Sequence, residues 1–264
     1  MALQKSEAVI LKKFNWSETS RMVHFFTRDF GKLTLNDRGG RAFKTKRGRV
    51  VPFCRMEITF YKSEKETTGY LSDSEIMEAF TFEKDGSLGR LAYGSAACEL
   101  LYLLLPEEEA QEALYNYFLS FLRLVNSVDK HRLPALFITF LLRTLSRLGY
   151  HPSLAYCVGC RKEFNGLDKK VGEAYFSPER GGFVCPSCQK PGEYYISLSA
   201  GSRRLLAALQ TASLNEAAAL PIGYDEAAML IEVLSKFLSY QSGISSKLKS
   251  LEFLDKLKKS QPGD

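Results

Sequence analysis

Arg21-Met-Val-His-Phe-Phe-Thr27 and Gly31-Lys-Leu-Thr-Leu35 are the stretch on which the fold turns. Each run is rich in β-branched and aromatic residues, and Asp29-Phe30-Gly31 between them is a turn signal. The reading is two short consecutive strands. Working outward, Ala8-Val9-Ile10-Leu11 is a further strand upstream. Downstream, Arg38-Gly39-Gly40 marks another turn, and Arg49 to Tyr61 (RVVPFCRMEITFY) reads as one long bent strand. Pro52 confines that part of it to an edge or a bend. Thr68 to Leu71 completes a set of five. Five short strands in about 70 residues predict a small closed barrel, and the oligonucleotide-binding (OB) barrel is one of the few solutions at that size.

After Phe82 the period changes to that of helices. Ser87 to Leu105 has apolar residues at Leu88, Leu91, Ala92, Leu100, Leu101 and Leu104. Pro106-Glu107-Glu108-Glu109 reads as the start of a second helix, with proline early and carboxylates at the positive end of the dipole. Its buried stripe would be Leu114, Phe118, Phe121, Leu122 and Val125. A third helix, from about Pro134 to Leu148, is apolar nearly all round and is stopped by Gly149, so it belongs at the centre of a helical core. Three more helices are predicted at about 199–211, 225–240 and 246–258. The fold class is therefore α+β: an N-terminal OB barrel over 1–80, then a helical domain over 81–264 with an inserted cysteine module at about 150–195.

That module carries two identical pairs, Cys157-Val-Gly-Cys160 and Cys185-Pro-Ser-Cys188, with 24 residues between them. Two residues inside each pair let both thiolates of a turn face one point, which is how a tetrahedral Zn²⁺ is held. Tyr175, Phe176, Gly181, Gly182 and Phe183 supply a short hairpin between the pairs, as in a zinc ribbon. Metal is favoured over disulfides. Cys54 and Cys98 have no partner by spacing, the N-terminus does not read as an export signal, and the cytosol keeps thiols reduced. The expected location is cytoplasmic and nucleoid-associated. Four thiolates leave no open position for water, so the zinc would be structural.

At 264 residues, 45% hydrophobic and 25% charged, the chain has the composition of an ordinary globular protein, with no run approaching a membrane span. Its net charge of +6 is mild but unevenly placed. Residues 1–62 hold 14 Lys/Arg against 5 Asp/Glu, whereas residues 63–196 hold 14 against 18. Lys32, Arg38, Arg41, Lys44, Lys46, Arg47 and Arg49 cluster around flexible glycines with Asp37 the single acid among them. Cations on such a loop suit phosphates, each contact releasing counterions. Trp16 either pins the first turn or offers a ring to a ligand, and Phe43 is a candidate for stacking a base, whereas Phe25, Phe53 and Phe60 read as core. Arg203-Arg204, in the first turns of a helix, is a candidate second phosphate contact because cations there oppose the dipole. The histidines are scattered, and no metallohydrolase, P-loop or dinucleotide motif occurs, so no catalytic centre is expected.

Trp16-Ser-Glu-Thr-Ser20, Phe26-Thr27, Gly31-Lys32-Leu33, Arg38-Gly39-Gly40-Arg41 and Pro52-Phe53 together resemble the barrel of the RecO family of bacterial recombination mediators. Leu148-Gly149-Tyr150 and Ser246-Lys-Leu-Lys-Ser250 extend the resemblance to nearly the whole chain, and the cysteine quartet resembles its zinc-bearing branch. The resemblance implies a non-enzymatic DNA-repair protein. It would bind single- and double-stranded DNA, anneal complementary strands, and work with RecR to load RecA onto strands coated by single-stranded-DNA-binding protein (SSB). The family's basic barrel loop maps to Lys32, Arg38, Arg41 and the cations up to Arg49. Where some members carry arginines after Pro134-Ala135-Leu136, for the acidic tail of the coating protein, this chain has Phe137 and Ile138. From the residues alone, the competing readings are a zinc-ribbon factor that binds RNA or a polymerase, and a phosphodiester-cleaving enzyme.

Overall fold

The computed structural model describes residues 2–40, 50–63, 65–85, 87–164, 173–220, 222–244 and 248–252. Two compact units divide the chain: residues 1–127 with 248–264, and residues 128–247.

The first unit is built on a closed barrel of β1 (Ala2–Asn15), β2 (Arg21–Thr27), β3 (Gly31–Asp37), β4 (Cys54–Lys62) and β5 (Gly69–Ala79). β1 pairs antiparallel with both β2 and β4, and the circle closes where β3 meets β5 in parallel at Leu35↔Gly69 and Asn36↔Tyr70. The order β1-β2-β3-β5-β4 is that of an OB barrel. Its interior is filled by alternate residues, among them Ile10, Val23, Phe25, Leu35, Met56, Ile58 and Phe60. β2 is apolar on both faces for a reason: Phe26 points away from the interior and packs edge-on to Tyr115, with ring centroids 5.4 Å apart. Tyr115 lies on α2 (Glu112–Ser127), which follows α1 (Ser87–Leu104).

Several expected boundaries are corrected. β1 is far longer than Ala8–Leu11, because its first half pairs with β4 and its second half with β2, and a bulge at Leu11 bends it around the barrel. The strand expected from Arg49 begins only at Cys54, since Pro52 and Phe53 form a turn with Phe53 at φ +54°. β5 runs well past Leu71; Asp73, Glu75 and Glu78 interrupt its apolar pattern but belong to residues paired along β4. The second helix does not start at Pro106. Residues 106–111 instead lie along the barrel: Glu107 bridges to Lys32, and the Glu108 N–H donates to the Lys32 carbonyl at 3.0 Å. The carboxylates of Glu107 and Glu108 lie 3.3 and 2.7 Å from the ammonium groups of Lys32 and Lys62. Gly31, at φ +68°, makes this possible, because a Cβ there would stand 2.0 Å from the carbonyl oxygen of Glu109.

In the second unit α3 (Leu133–Arg147) is central, as its all-round apolarity implies, with Leu136, Phe137, Ile138, Phe140 and Leu142 fully enclosed. It is surrounded by α4 (Ala200–Thr211), α5 (Leu214–Ala217) and α6 (Tyr224–Ser242). Gly149, at φ +89°, ends it. β6 (Glu173–Ser177), β7 (Gly182–Val184) and β8 (Ile196–Ser199) form an antiparallel sheet in the order β7-β6-β8. Of the helix expected at 246–258, residues 249–252 are helical, Leu248 precedes the helix, and 246–247 and 253–258 lie outside the described residues.

Candidate nucleic-acid interface and metal centre

Register alone gathers one end of the barrel. Asn15 pairs with Arg21, and Arg21 pairs with Asp37. The β1–β2 loop, which begins at Trp16, and the β3–β4 connection, which begins at Arg38, therefore leave the barrel from neighbouring points. Arg21 donates to the Asp37 carboxylate at 2.7 Å, so the one acid of the basic segment is already neutralised. Arg38 is exposed, and its guanidinium carbon lies 4.0 Å from the centroid of the Tyr70 ring on the adjoining β5. That contact holds the arginine out from the barrel while leaving its donors for a phosphate. Arg41, Lys44, Lys46, Arg47 and Arg49 lie outside the described residues.

Two of the predicted cations are placed differently. Lys32 is buried; its ammonium donates to the Tyr102 carbonyl at 3.0 Å and pairs with Glu107. It holds the 106–111 segment against the barrel and is not presented to a phosphate. Arg203 is also buried, at 6% exposure, with its guanidinium donating to the Phe164 carbonyl at 3.1 Å and lying 5.2 Å from the centre of that ring. Burial, and then the charge of Arg204, holds its pKa below the ordinary arginine value. The pair that reads as two equivalent cations is thus one structural arginine and one exposed arginine, Arg204. Phe137 and Ile138 are core residues of α3 and offer no surface for a tail peptide.

The aromatic residues sort in the same way. Phe25 and Phe60 are core as expected, and Phe53 is partly covered by Phe82 at 5.0 Å. Phe43 lies outside the described residues. Phe14 belongs to the aromatic residues interleaved with the basic charge, most of which read as core, and Tyr70 carried no signal in the sequence. An aromatic residue in a strand run is core by default, and only the register shows that both stand at the end where Arg38 emerges.

The cysteine pairs do converge. The sulfurs of Cys157, Cys160, Cys185 and Cys188 all lie within 4.8 Å of one another, and Cys160 Sγ is 3.8 Å from Cys185 Sγ. A metal–sulfur distance of about 2.3 Å in a tetrahedron sets sulfur–sulfur edges of about 3.8 Å, so these residues fit a metal ion. Local backbone geometry builds the cage. The Gly159 and Cys185 N–H groups both donate to Cys157 Sγ at 3.4 Å. The first turn closes with the Arg161 N–H donating to the Cys157 carbonyl at 2.9 Å, at the cost of a left-handed φ of +64° for Arg161. Gly159 permits the two turns to meet: a Cβ there would stand 2.8 Å from the Cys188 Cβ. The expected hairpin is present as β6 and β7, with Phe176 and Phe183 packed edge-on at 5.4 Å behind the cluster.

The electrostatics agree with a cation site. Burial alone would raise the Cys157 thiol, but backbone N–H groups from Cys160, Cys185 and Gly159 outweigh it and bring the pKa down to about 6. Cys188 is pushed the other way, to about 12, chiefly by its contacts with Cys185 and Cys160. Four sulfurs this close cannot all be thiolates without a cation among them, and a divalent ion removes that conflict. All six cysteines are free; Cys54 and Cys98 are buried, and burial raises the Cys98 thiol to about 12. Among the described residues no helix is long and apolar enough to cross a membrane.

Comparison with known proteins adds independent information. The family model for the N-terminal part of recombination protein O matches residues 1–80, and the model for its C-terminal part matches residues 86–252. The chain is 32% identical over 262 residues to the DNA repair protein RecO of Symbiobacterium thermophilum, covering 99% of this chain and 100% of that one. It is 28% identical to the protein of the same name from Pelotomaculum thermopropionicum, covering 100% of this chain and 98% of the relative. With the corresponding protein of Clostridium novyi the identity is also 28%, over 99% of this chain and 97% of that one.

Proposed function

The chain belongs to the recombination protein O family, and from that premise we propose that it is a DNA-repair protein acting as a recombination mediator without catalysis. It binds single- and double-stranded DNA through one end of its OB barrel and anneals complementary strands. With RecR it helps load RecA onto single strands coated by SSB, in the cytoplasm at the nucleoid. The observation that carries the reading is the barrel end, where Arg38 stands exposed on Tyr70 at the root of the cation-rich connection and Asp37 is neutralised by Arg21. Annealing asks only that two strands be concentrated on one surface, with repulsion screened and bases left readable, and backbone cations suffice for that. The four cysteines hold one structural Zn²⁺, which fixes the module of the second unit and takes no part in chemistry.

The test is the pairing rate of two complementary oligonucleotides as a function of protein concentration, without nucleotide or magnesium, on bare and on SSB-coated strands. Acceleration over the protein-free rate is expected. No acceleration at any ratio, or cleavage of a strand once magnesium is supplied, would overturn the reading; preference for RNA would favour a zinc-ribbon RNA factor. Replacing Arg38, Arg41, Arg47 and Arg49 by Glu should weaken binding to every sequence and flatten its salt dependence, since each phosphate contact contributes about 0.7–0.9 to the log–log slope. A parental slope in that variant would place the phosphate contacts elsewhere.

A further inference from the structure

The chain's single tryptophan, Trp16, opens the β1–β2 loop and is 66% exposed. An indole left in water forgoes the favourable burial available to so large an apolar surface, so its position calls for a reason. It is not needed to close the turn. The loop is closed by backbone groups, with the Trp16 and Ser17 N–H groups donating to the Ser20 carbonyl at 3.0 and 3.2 Å, and by the Ser20 N–H donating to Ser17 Oγ at 3.1 Å. The ring is therefore displayed from a short, internally bonded loop. Phe14, itself 42% exposed, meets it edge-to-face at 6.5 Å and in turn rests on His24 at 5.8 Å, so the indole is supported from the barrel side.

The surroundings say what such a ring would meet. Lys12 and Lys13 are on the last part of β1, Arg38 leaves the barrel one residue past the Asp37 that pairs with Arg21, and Arg21 is the residue opposite Asn15. Of the acids in this region, Glu18 lies in the loop, Asp37 is bonded to Arg21, and Glu107 is paired with Lys32, whose ammonium, like that of Lys12, lies over the Tyr102 ring. An exposed aromatic pair beside a positive balance suits a polyanion that also offers flat rings. Unpaired bases offer their faces, whereas bases within a duplex are already stacked on each other.

We propose that Trp16, backed by Phe14, is a stacking platform for an unpaired base of single-stranded DNA whose backbone is held by Arg38 and the adjoining cations. This rests on the reading of the barrel end as a DNA surface and adds to it a means of distinguishing single strands from duplex. One platform on one loop would grip a strand locally and leave most of its bases free to pair.

Because Trp16 is the only tryptophan, its emission reports on this site alone. The experiment titrates the full-length protein with an end-labelled oligothymidylate and, separately, with a blunt duplex of equal length. It follows tryptophan emission and label anisotropy together. Binding of the single strand should quench Trp16 in step with the anisotropy rise, and binding of the duplex should leave emission nearly unchanged. Trp16→Ala should weaken single-strand binding by about 5- to 150-fold, the range for losing one stacked base, with duplex binding little altered and Trp16→Phe intermediate. Trp16 is on the surface, so the variants should keep the parental circular dichroism. Anisotropy that rises while emission stays constant, or a Trp16→Ala protein with parental single-strand affinity, overturns the platform and leaves the DNA surface standing. A protein that binds neither oligonucleotide overturns both.

Discussion

Arg203 gives the sharpest test of how the second unit is held together. The perturbation is Arg203→Met, which keeps most of the side-chain length and removes the guanidinium, set against Arg204→Glu on the exposed neighbour. In the structure the Arg203 guanidinium donates to the Phe164 carbonyl at 3.1 Å and lies 5.2 Å from the centre of that ring, in surroundings that leave the residue 6% exposed. A hydrogen bond from a charged donor contributes about 1.5–3 kcal/mol. A desolvated cation–ring contact adds about 0.5–2 kcal/mol. Against these stands the cost of burying the cation beside Arg204, the same cost that lowers its pKa and that methionine relieves. The net expectation is a loss of about 2 kcal/mol, or roughly 5–10 °C in the midpoint for a unit of this size. Arg204→Glu should stay within about 0.5 kcal/mol of the parent. Chemical denaturation followed by far-ultraviolet circular dichroism measures both, with single-strand affinity determined in parallel. The reasoning is refuted if Arg203→Met unfolds like the parent while losing as much DNA affinity as Arg204→Glu, for then both arginines would be phosphate ligands.

Three further outcomes follow from other parts of the chain. Cys185→Ser leaves three thiolates around a cage built for four, so native mass spectrometry should show less than one metal ion per chain and the module should unfold earlier, with DNA binding by the barrel changing less; a metal-free parent with a Cys157–Cys160 disulfide would refute the assignment. Gly31→Ala forces a side chain into φ +68° and into the Glu109 carbonyl, so denaturant titration should show a loss above about 2 kcal/mol, and parental stability would mean that the 106–111 segment does not sit on the barrel. Arg55 grips Glu7 with two hydrogen bonds of 2.8 Å, which holds the Glu7 pKa below its ordinary 4.5. A lowered folded-state pKa contributes stability that is present above the unfolded value and lost as pH falls through the folded one. Stability should therefore decline as pH drops below about 4.5, and Glu7→Gln should flatten that decline; an unchanged acid limb in the variant would remove Glu7 from it.

The sequence by itself determined the parts that depend on neighbours along the chain. Strand-forming runs separated by turn residues announced β2 and β3 almost to the residue, because pleat and turn chemistry are local. The all-round apolarity of 133–147 announced a central helix, since such a helix is stable only inside a core. Two Cys-x-x-Cys pairs announced a four-sulfur cage, because each pair is pre-shaped for a metal whatever surrounds it.

The tertiary structure decided everything set by partners distant in sequence. β1 and β5 extend beyond their apolar runs because ladder bonds to β4 stabilise residues whose own propensity is weak. Glu107 and Glu108 read as a helix start by the dipole rule, yet they pair with Lys32 and Lys62, two lysines contributed by separate barrel strands. Arg203 and Arg204 are adjacent and chemically identical; only the helix rotation of about 100° between successive residues turns one into the core and the other to solvent. Trp16 could have pinned a turn or faced a ligand, and the choice fell to the closure of the Trp16–Ser20 loop by its own backbone, which leaves the indole outside. Local pattern specifies what a segment can form, whereas burial and pairing are properties of two segments at once and exist only after the chain has folded.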